Sequence, residues 1–141
     1  MKRIVPDTNV LTAGLRSRNG ASFAVLRLVA DRQLRPLVTT ALFLEYEAVL
    51  ARPEQMVVHG LSAVELNRLL AGLAALAEPV EPYFLWRPQL ADPKDEMVLE
   101  TAVNGRADAL VTYNRRDFSV AAGRFDIPVI SPVDLLKGFR A

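Results

Sequence analysis

Cysteine is absent from this chain of 141 residues, which excludes disulfides and thiolate metal sites. No apolar run approaches the length of a membrane-spanning helix, and no apolar stretch of the signal-peptide kind follows the opening segment MKRIVPDTNV. The single histidine, His59, and the single tryptophan, Trp86, are interpreted as a loop residue and a packing residue. We therefore expect a cytoplasmic protein that has no membrane partner.

An excess of charge of one sign is also missing. The 17 basic and 16 acidic residues leave a net charge of +1, which is not typical of basic proteins that coat nucleic acid. Separate acidic and basic surfaces can still cancel in such a total, so nucleic acid is not excluded as a ligand. Hydrophobic residues make up 51%, and this composition and length predict one globular domain over residues 1–141.

Short apolar segments alternate with helical patterns along the chain. Strands are expected at 3–6, 36–40, 109–112 and 128–131. Helices are expected at 22–33, 41–52, 62–77, 92–105 and 132–140. The segment 78–86 is ambiguous, because its two prolines argue against a central strand. This alternation predicts a three-layer α/β/α sandwich with a central, mostly parallel sheet.

Acidic residues follow the predicted strands. Asp7 comes directly after the first strand, Glu45 lies one turn into the helix after the second, and Asp117 follows the strand at 109–112. Parallel strands all end at one edge of the sheet, where ligands bind, so these side chains are expected to meet there. Asp108 precedes its strand and is therefore assigned to the opposite edge and excluded from the site.

Asp95 lies at the start of a predicted helix, in line with its apolar stripe. The residues that recur at helical spacing after it are Val98, Leu99, Ala102 and Val103. An inward carboxylate is costly unless it is paired or bound to a cation. The alternative is that Asp95 is the third-position acid of a capping box begun by Asp92. Glu96 and Glu100 lie off the stripe and are expected in solvent.

The helix at 41–52 offers two acids. Its apolar face centres near Tyr46, and Glu45 and Glu47 flank that centre by similar angles on opposite sides. Periodicity therefore does not choose between the two glutamates, and a solvent-exposed position is the alternative for each.

Several carboxylates at one edge would repel each other by a few kcal/mol per pair at an effective dielectric constant of about 20. Proteins relieve such repulsion by raised pKa values or by a bound cation. Oxygen ligands without cysteine favour a hard ion such as Mg²⁺ or Mn²⁺. Metal-assisted hydrolysis of a phosphodiester bond is the chemistry that this set of residues predicts.

Four segments together resemble the PIN-domain ribonucleases, in particular the VapC-like toxin components of bacterial toxin–antitoxin pairs. They are DTNVL (7–11), LEYEAVLARP (44–53), DPKDEMVLETAV (92–103) and VTYNRRDF (111–118). The resemblance implies a metal-dependent endoribonuclease, a hydrolase that uses Mg²⁺ or Mn²⁺. It also implies an RNA substrate, a small antitoxin protein as partner, and a homodimer.

The resemblance also implies roles for individual residues. The catalytic and metal-binding acids would be Asp7, Glu45 rather than Glu47, Asp95 and Asp117. Thr8 and Asn9 match positions that support the first aspartate, and Asn114 stands beside the last one.

Four arginines lie in predicted loops at the same edge: Arg16, Arg18, Arg115 and Arg116. They are candidates for binding RNA phosphates, and the alternative is that they are ordinary surface arginines.

Two other functions fit parts of the pattern. A PIN-like module that binds RNA or a partner without cutting would keep the fold but not the chemistry. A phosphatase of the haloacid-dehalogenase type also places an aspartate after its first strand, but it needs a second acid two residues later. Asn9 stands there, so this alternative is weak.

Overall fold

The computed structural model describes residues 2–83, 89–90 and 92–140, with the backbone alone for residues 139 and 140. Five strands lie within these ranges: β1 (Lys2–Pro6), β2 (Leu34–Val38), β3 (Glu78–Pro79), β4 (Ala109–Val111) and β5 (Val129–Ile130). They form one sheet in the order β3-β2-β1-β4-β5, and every pairing is parallel.

Eight helices connect and follow the strands in the described ranges. They are α1 (Thr8–Arg16), α2 (Ala21–Ala30), α3 (Thr40–Leu50), α4 (Pro53–His59), α5 (Ala63–Leu76), α6 (Pro93–Gly105), α7 (Arg115–Gly123) and α8 (Pro132–Arg140). α6 packs across β1, β2 and β4, whereas α2 and α3 pack on β2. With right-handed crossovers, helices before and after the return from β3 to β4 cover opposite faces. The predicted α/β/α sandwich is confirmed.

The central strands are buried on both faces, as parallel strands between helical layers must be. Ile4, Val5 and Leu110 are fully buried, and Ile4 of β1 pairs in register with Ala109 of β4 and Pro36 of β2. Such strands are rich in apolar residues, which is why the segments at 3–6 and 109–112 could be identified from sequence. β3 has only two residues and lies at the edge of the sheet, where its proline is tolerated.

Three helices are not predicted from the sequence: α1, α4 and α7. α1 and α7 have nine residues each, so their apolar periodicity extends over little more than two turns. α4 has seven residues, none of them buried, so it lacks the amphipathic pattern on which a prediction depends. Pro53 follows the end of α3, as expected, but it also begins α4 at a position that suits proline.

The position of His59 is a correction. It is the last residue of α4 rather than a loop residue. Its ring accepts a hydrogen bond from the Leu61 N–H at Nδ1 (3.0 Å), and Nε2 lies 3.0 Å from the Leu50 carbonyl oxygen. His59 therefore links the ends of α3 and α4.

The end of α6 shows why a glycine is found there. A Cβ atom on Gly105 would lie 2.9 Å from Leu37 Cδ1 and 3.0 Å from Val80 Cγ2. The left-handed residue that ends the helix is Arg106 (φ 51°), so Gly105 serves close packing rather than the turn itself.

The interpretation of Trp86 as a packing residue falls outside the described residues, as do all of residues 84–88. Among the helices that the structure describes, none is both long enough and apolar enough to span a membrane.

Candidate active site at the carboxyl edge of the sheet

The order of strands creates a crevice between β1 and β4. The chain proceeds from β1 outward to β2 and β3, then returns to place β4 on the other side of β1. Ligands of open α/β sheets bind beyond the carboxyl ends of the strands where the order reverses in this way. Asp7 follows β1, and the segment 112–117 follows β4, so both stand at this point.

Asp7 is held in the crevice. Its backbone N–H donates to the Val111 carbonyl (2.8 Å), and only 7% of the residue is exposed. It occupies the N-cap position of α1, but its side chain makes no capping hydrogen bond with that helix. Burial raises the pKa of Asp7, and the charges of Asp117 and Asp92 raise it further. A simple turn-forming role therefore does not explain this carboxylate.

Thr112 orients Asp7 and was not identified from the sequence. Its hydroxyl donates to Asp7 Oδ2 (2.8 Å) and accepts from the Asn114 N–H (2.9 Å), and it is fully buried. This bond favours the charged carboxylate and partly offsets the rise in the pKa of Asp7. The signal in the sequence was its place within VTYNRRDF, one residue beyond a buried strand.

Tyr46 is a second residue whose role the sequence did not reveal. Its hydroxyl donates to the carbonyl oxygen of Pro6, directly before Asp7, and the residue is fully buried. Burial, with a smaller effect of the charge on Asp7, raises the pKa of Tyr46 well above its usual value. The neutral hydroxyl therefore fixes the end of β1, although periodicity assigned Tyr46 only to an apolar face.

Asp95 projects from the start of α6 toward the same place. Burial, followed by the charges of Asp7, Asp92 and Asp117, raises its pKa to about 6. The cap hydrogen bond of α6 runs from Lys94 N–H to Asp92 Oδ1 (2.9 Å) rather than from Asp95 N–H. Asp95 is therefore not part of a capping box. Asp92, which the sequence assigned only to the helix cap, is a further acid whose charge acts on Asp95.

The structure also separates the two glutamates of α3. Glu45 is largely buried, with 15% of its side chain exposed, and its Oε1 lies 3.8 Å from Lys94 Nζ at the start of α6. Glu47 is exposed. Glu45 therefore lies beside the start of α6, the helix that carries Asp95.

Asp117 lies in the first turn of α7 and is exposed. Its backbone N–H donates to the Asn114 carbonyl (3.0 Å), and its charge contributes to the raised pKa of Asp7 and Asp95. Asp7, Asp95 and Asp117 therefore interact electrostatically. The fourth predicted acid, Glu45, contacts Lys94, the residue before Asp95.

The three residues expected to support the site differ in what they do. The backbone N–H of Thr8 favours the charged form of Asp7. Asn9 Oδ1 lies 3.5 Å from the Tyr113 backbone nitrogen, across the crevice from β1 to β4. Asn114 occupies the N-cap position of α7 without a side-chain cap bond, and only its backbone contacts Thr112.

Glu96 corrects the prediction of a solvated residue. It is 3% exposed, and its Oε1 accepts from the backbone N–H groups of Gln89 (2.5 Å) and Leu90 (2.7 Å). Its Oε2 is buried and has no hydrogen-bond partner among the residues that the structure describes. The helical stripe did not reveal this because residues 89–90, which lie outside α6, cover Glu96, and the periodicity of one helix contains no information about such a contact. Glu100, grouped with it in the prediction, is half-buried.

The four arginines are exposed, but three of them are not in loops. Arg16 is the last residue of α1, and Arg115 and Arg116 are the first two of α7. Arg115 Nη1 lies 3.3 Å from Asp134 Oδ2 in an exposed ion pair. Arg18 lies in the turn between α1 and α2. In the parts of the chain that the structure describes, Arg16, Arg18 and Arg116 have no ion-pair partner.

The candidate metal ligands are all carboxylates, whose oxygen atoms suit a hard cation. A bound cation would also relieve the repulsion between their negative charges. As the side chains stand, no three of the described His, Asp or Glu residues are arranged closely enough to hold one ion. The electrostatic coupling of Asp7, Asp95 and Asp117 is the feature that fits a divalent metal.

A protein-family model described as PIN domain matches residues 3–116, which is most of the chain. The match includes Asp7, Glu45, Asp92 and Asp95 and ends one residue before Asp117. No curated protein matches the chain. PIN domains are in general nucleases that use divalent metals, so the match supports a hydrolase of nuclease type.

Proposed function

This chain belongs to the PIN domain family, and from its site we propose that it is a metal-dependent endoribonuclease that acts as the toxin of a toxin–antitoxin pair. The observation that carries the proposal is the set of aspartates at the switch point between β1 and β4. Asp7 is buried there, and its charge and those of Asp92 and Asp117 help raise the pKa of Asp95 to about 6. A protein keeps such like charges together at a cost to its stability, and a bound cation removes that cost.

In this proposal Asp7, Glu45, Asp95 and Asp117 hold Mg²⁺ or Mn²⁺. The metal, when bound, supplies an activated water and neutralises charge that develops on the phosphate during hydrolysis. The side chains of the protein determine where this happens. Thr112 and Tyr46 fix Asp7 at the end of β1 through the two hydrogen bonds described above. Asp92, at the start of α6, adds negative charge next to Asp95.

RNA binding is assigned to the exposed arginines that the sequence predicts at the same edge as the acids. Arg16 and Arg18 flank the approach to α2, and Arg116 lies next to Asp117 at the start of α7. Their guanidinium groups would bind phosphates on either side of the bond that is cut and offset the repulsion between the acids and RNA. The ion pair of Arg115 with Asp134 is exposed and weak enough to be exchanged for a phosphate.

The toxin assignment adds a small antitoxin partner and a homodimer to the proposal. Two features favour protein partners: exposed apolar residues on α3, α4 and α5, and a groove of about 300 Å³ between α1, α2 and α5. The apolar residues include Leu44, Val57, Val58 and Val64, and Val57 is 83% exposed. Light scattering of the purified chain tests the dimer. Growth arrest on expression, lost in Asp7→Asn, tests the toxin role.

The nuclease activity is tested with the full chain and a mixed-sequence RNA, in Mn²⁺, in Mg²⁺ and in EDTA. We expect endonucleolytic cleavage that requires metal and is lost in Asp7→Asn. Calorimetry should show that Mn²⁺ binding weakens in the same variant. The matched control is Asp108→Asn, because Asp108 follows α6 at the opposite edge and accepts from the Arg3 N–H. Full cleavage by Asp7→Asn would overturn the mechanism. RNA binding by the wild type without cleavage in either metal would favour the catalytically silent module.

A further inference from the structure

Tyr113 lies at the candidate site but takes no part in the chemistry proposed above. It immediately follows Thr112, the residue that donates to Asp7, and it precedes Asn114 at the start of α7. Despite its large aromatic ring the residue is 48% exposed. About half of this aromatic residue is therefore open to solvent, directly after the threonine that donates to Asp7.

The ring of Tyr113 is fixed in place. Its hydroxyl lies 2.5 Å from Ser22 Oγ in the first turn of α2, and Ser22 is itself 1% exposed. On the other side, the backbone nitrogen of Tyr113 lies 3.5 Å from Asn9 Oδ1. Because the hydroxyl and the backbone are both tethered, the exposed ring loses little further conformational entropy when a ligand packs on it.

Two exposed arginines precede Ser22, the residue that contacts the Tyr113 hydroxyl, in the chain. Arg18 is exposed in the turn that leads into α2, four residues before the Ser22 that holds the Tyr113 hydroxyl. Arg16 ends α1 just before that turn. Proteins that bind single-stranded nucleic acid combine an exposed aromatic ring, which stacks on a base, with basic side chains that bind phosphates. Tyr113 can supply the ring, and the arginines that lead into α2 can supply the positive charge.

We propose that Tyr113 is a stacking platform for an unpaired base of the RNA substrate, next to the bond that the carboxylate site cuts. The base must be unpaired to reach this platform, because a base inside a duplex is already stacked on both faces. This inference rests on the proposed function, since it takes RNA as the ligand. It makes Tyr113 a binding residue that determines which RNA structures are accepted.

The binding test uses the full chain in EDTA, so that cleavage does not interfere. Single-stranded RNA oligonucleotides carry 2-aminopurine at successive positions, and fluorescence reports stacking at each one. For the wild type we expect quenching confined to one or two positions. Tyr113→Leu should lose this quenching and bind roughly tenfold more weakly, in the range measured for loss of one base–aromatic stack. Tyr113→Phe keeps the ring and should retain the quenching. Val120→Ala, a truncation at a residue 74% exposed on α7, is the surface control.

A second measurement separates stacking from a merely structural role. With Mn²⁺, Tyr113→Leu should raise KM roughly tenfold and leave kcat unchanged, and an RNA that lacks the stacked base should remove the difference between wild type and variant. Wild-type affinity and quenching in Tyr113→Leu would overturn the proposal. The proposal would also be overturned if Tyr113→Leu still had a higher KM than the wild type on the RNA that lacks the stacked base.

The outcomes also distinguish this inference from the proposed function. Metal-dependent cleavage that is equally efficient in the wild type and in Tyr113→Leu leaves the nuclease standing and refutes the platform. Quenching that depends on Tyr113, without cleavage in any metal, supports the platform and refutes the nuclease.

Discussion

The two edges of the sheet carry charged side chains in opposite arrangements. At the amino edge, the guanidinium of Arg3 pairs with Glu78, and Arg35 lies 3.6 Å from the same carboxylate. At the carboxyl edge, Asp7, Asp92, Asp95 and Asp117 lie close enough for their charges to raise the pKa of Asp7 and Asp95. One edge satisfies its charges within the protein, and the other leaves negative charge for a ligand to satisfy.

The same contrast appears in the direction of the pKa shifts. The hydrogen bond from Arg3 lowers the pKa of Glu78, so the charged pair stabilises the fold above about pH 4.5 and this contribution is lost as the pH falls. The raised pKa of Asp95 has the opposite sign, because the folded protein loses stability as this group ionises between pH 3.8 and about 6. Removing a charge should therefore cost stability at the amino edge and activity at the carboxyl edge.

The largest change in cleavage rate among these predictions is expected at Glu45, one of the two glutamates of α3. Glu45→Gln should lower the rate of metal-dependent RNA cleavage by at least about 100-fold. Mutation of a residue that only supports a metal ligand already lowers metal affinity or activity about 10–100-fold, and loss of a ligand itself should lower it more. Glu47→Gln removes an exposed charge two residues away on the same helix and should leave the rate unchanged. Equal rates for the two variants would show that Glu45 is not a ligand.

Thr112→Val should produce the next largest effect. The substitution keeps the shape of the side chain but removes the hydrogen bonds to Asp7 and to the Asn114 N–H. We expect cleavage to fall roughly tenfold or more and the free energy of unfolding to fall by about 1–2 kcal/mol. Serine at this position retains the hydroxyl, so Thr112→Ser should recover most of the activity. A rate of cleavage by Thr112→Val equal to that of the wild type would remove Thr112 from the site.

Asp95→Asn tests how the charge of Asp95 affects the stability of the metal-free protein. In the metal-free protein at pH 7.5 it should raise the free energy of unfolding by about 1 kcal/mol. The full pKa shift would correspond to about 3 kcal/mol, and we discount it because the side chain is partly exposed to solvent. For the wild type without metal, the melting temperature should rise as the pH falls from 7.5 to 5.5, and this rise should shrink in the variant.

Saturating Mn²⁺ provides the control for that measurement. It should stabilise the wild type at pH 7.5 and lose its effect below about pH 6, where protons compete for Asp95. A metal-free melting temperature that falls between pH 7.5 and 5.5 would contradict the assigned sign.

The smallest effect is expected at the amino edge. Glu78→Gln removes the charge that faces Arg3 and Arg35, and the partly exposed pair should cost no more than about 1 kcal/mol of unfolding free energy. Cleavage and Mn²⁺ affinity should not change. A loss of either would mean that the two edges are coupled, and that the comparison between them does not hold.

The predictions made from sequence succeeded where a short run of residues fits only one type of structure, such as an apolar run that fits a buried strand. The apolar run before Asp7 and the strand at 109–112 gave the sheet, and the shared edge of parallel strands brought Asp7, Asp95 and Asp117 together. The predictions failed where a second contact surface intervened. Glu96 is buried because residues 89–90 lie over α6, and the periodicity of a single helix contains no information about a loop that packs on it.

The sequence by itself determined the layered fold and the convergence of acids at one edge, because strand burial and the direction of parallel strands are local and topological properties. Only the tertiary structure shows that Glu45 is largely buried whereas Glu47 is exposed. It alone brought Asp92 into the cluster, and it alone gave Thr112, Tyr46 and Tyr113 their positions around Asp7. Each of these depends on distances between residues far apart in the chain, which are fixed only when the helices pack on the sheet.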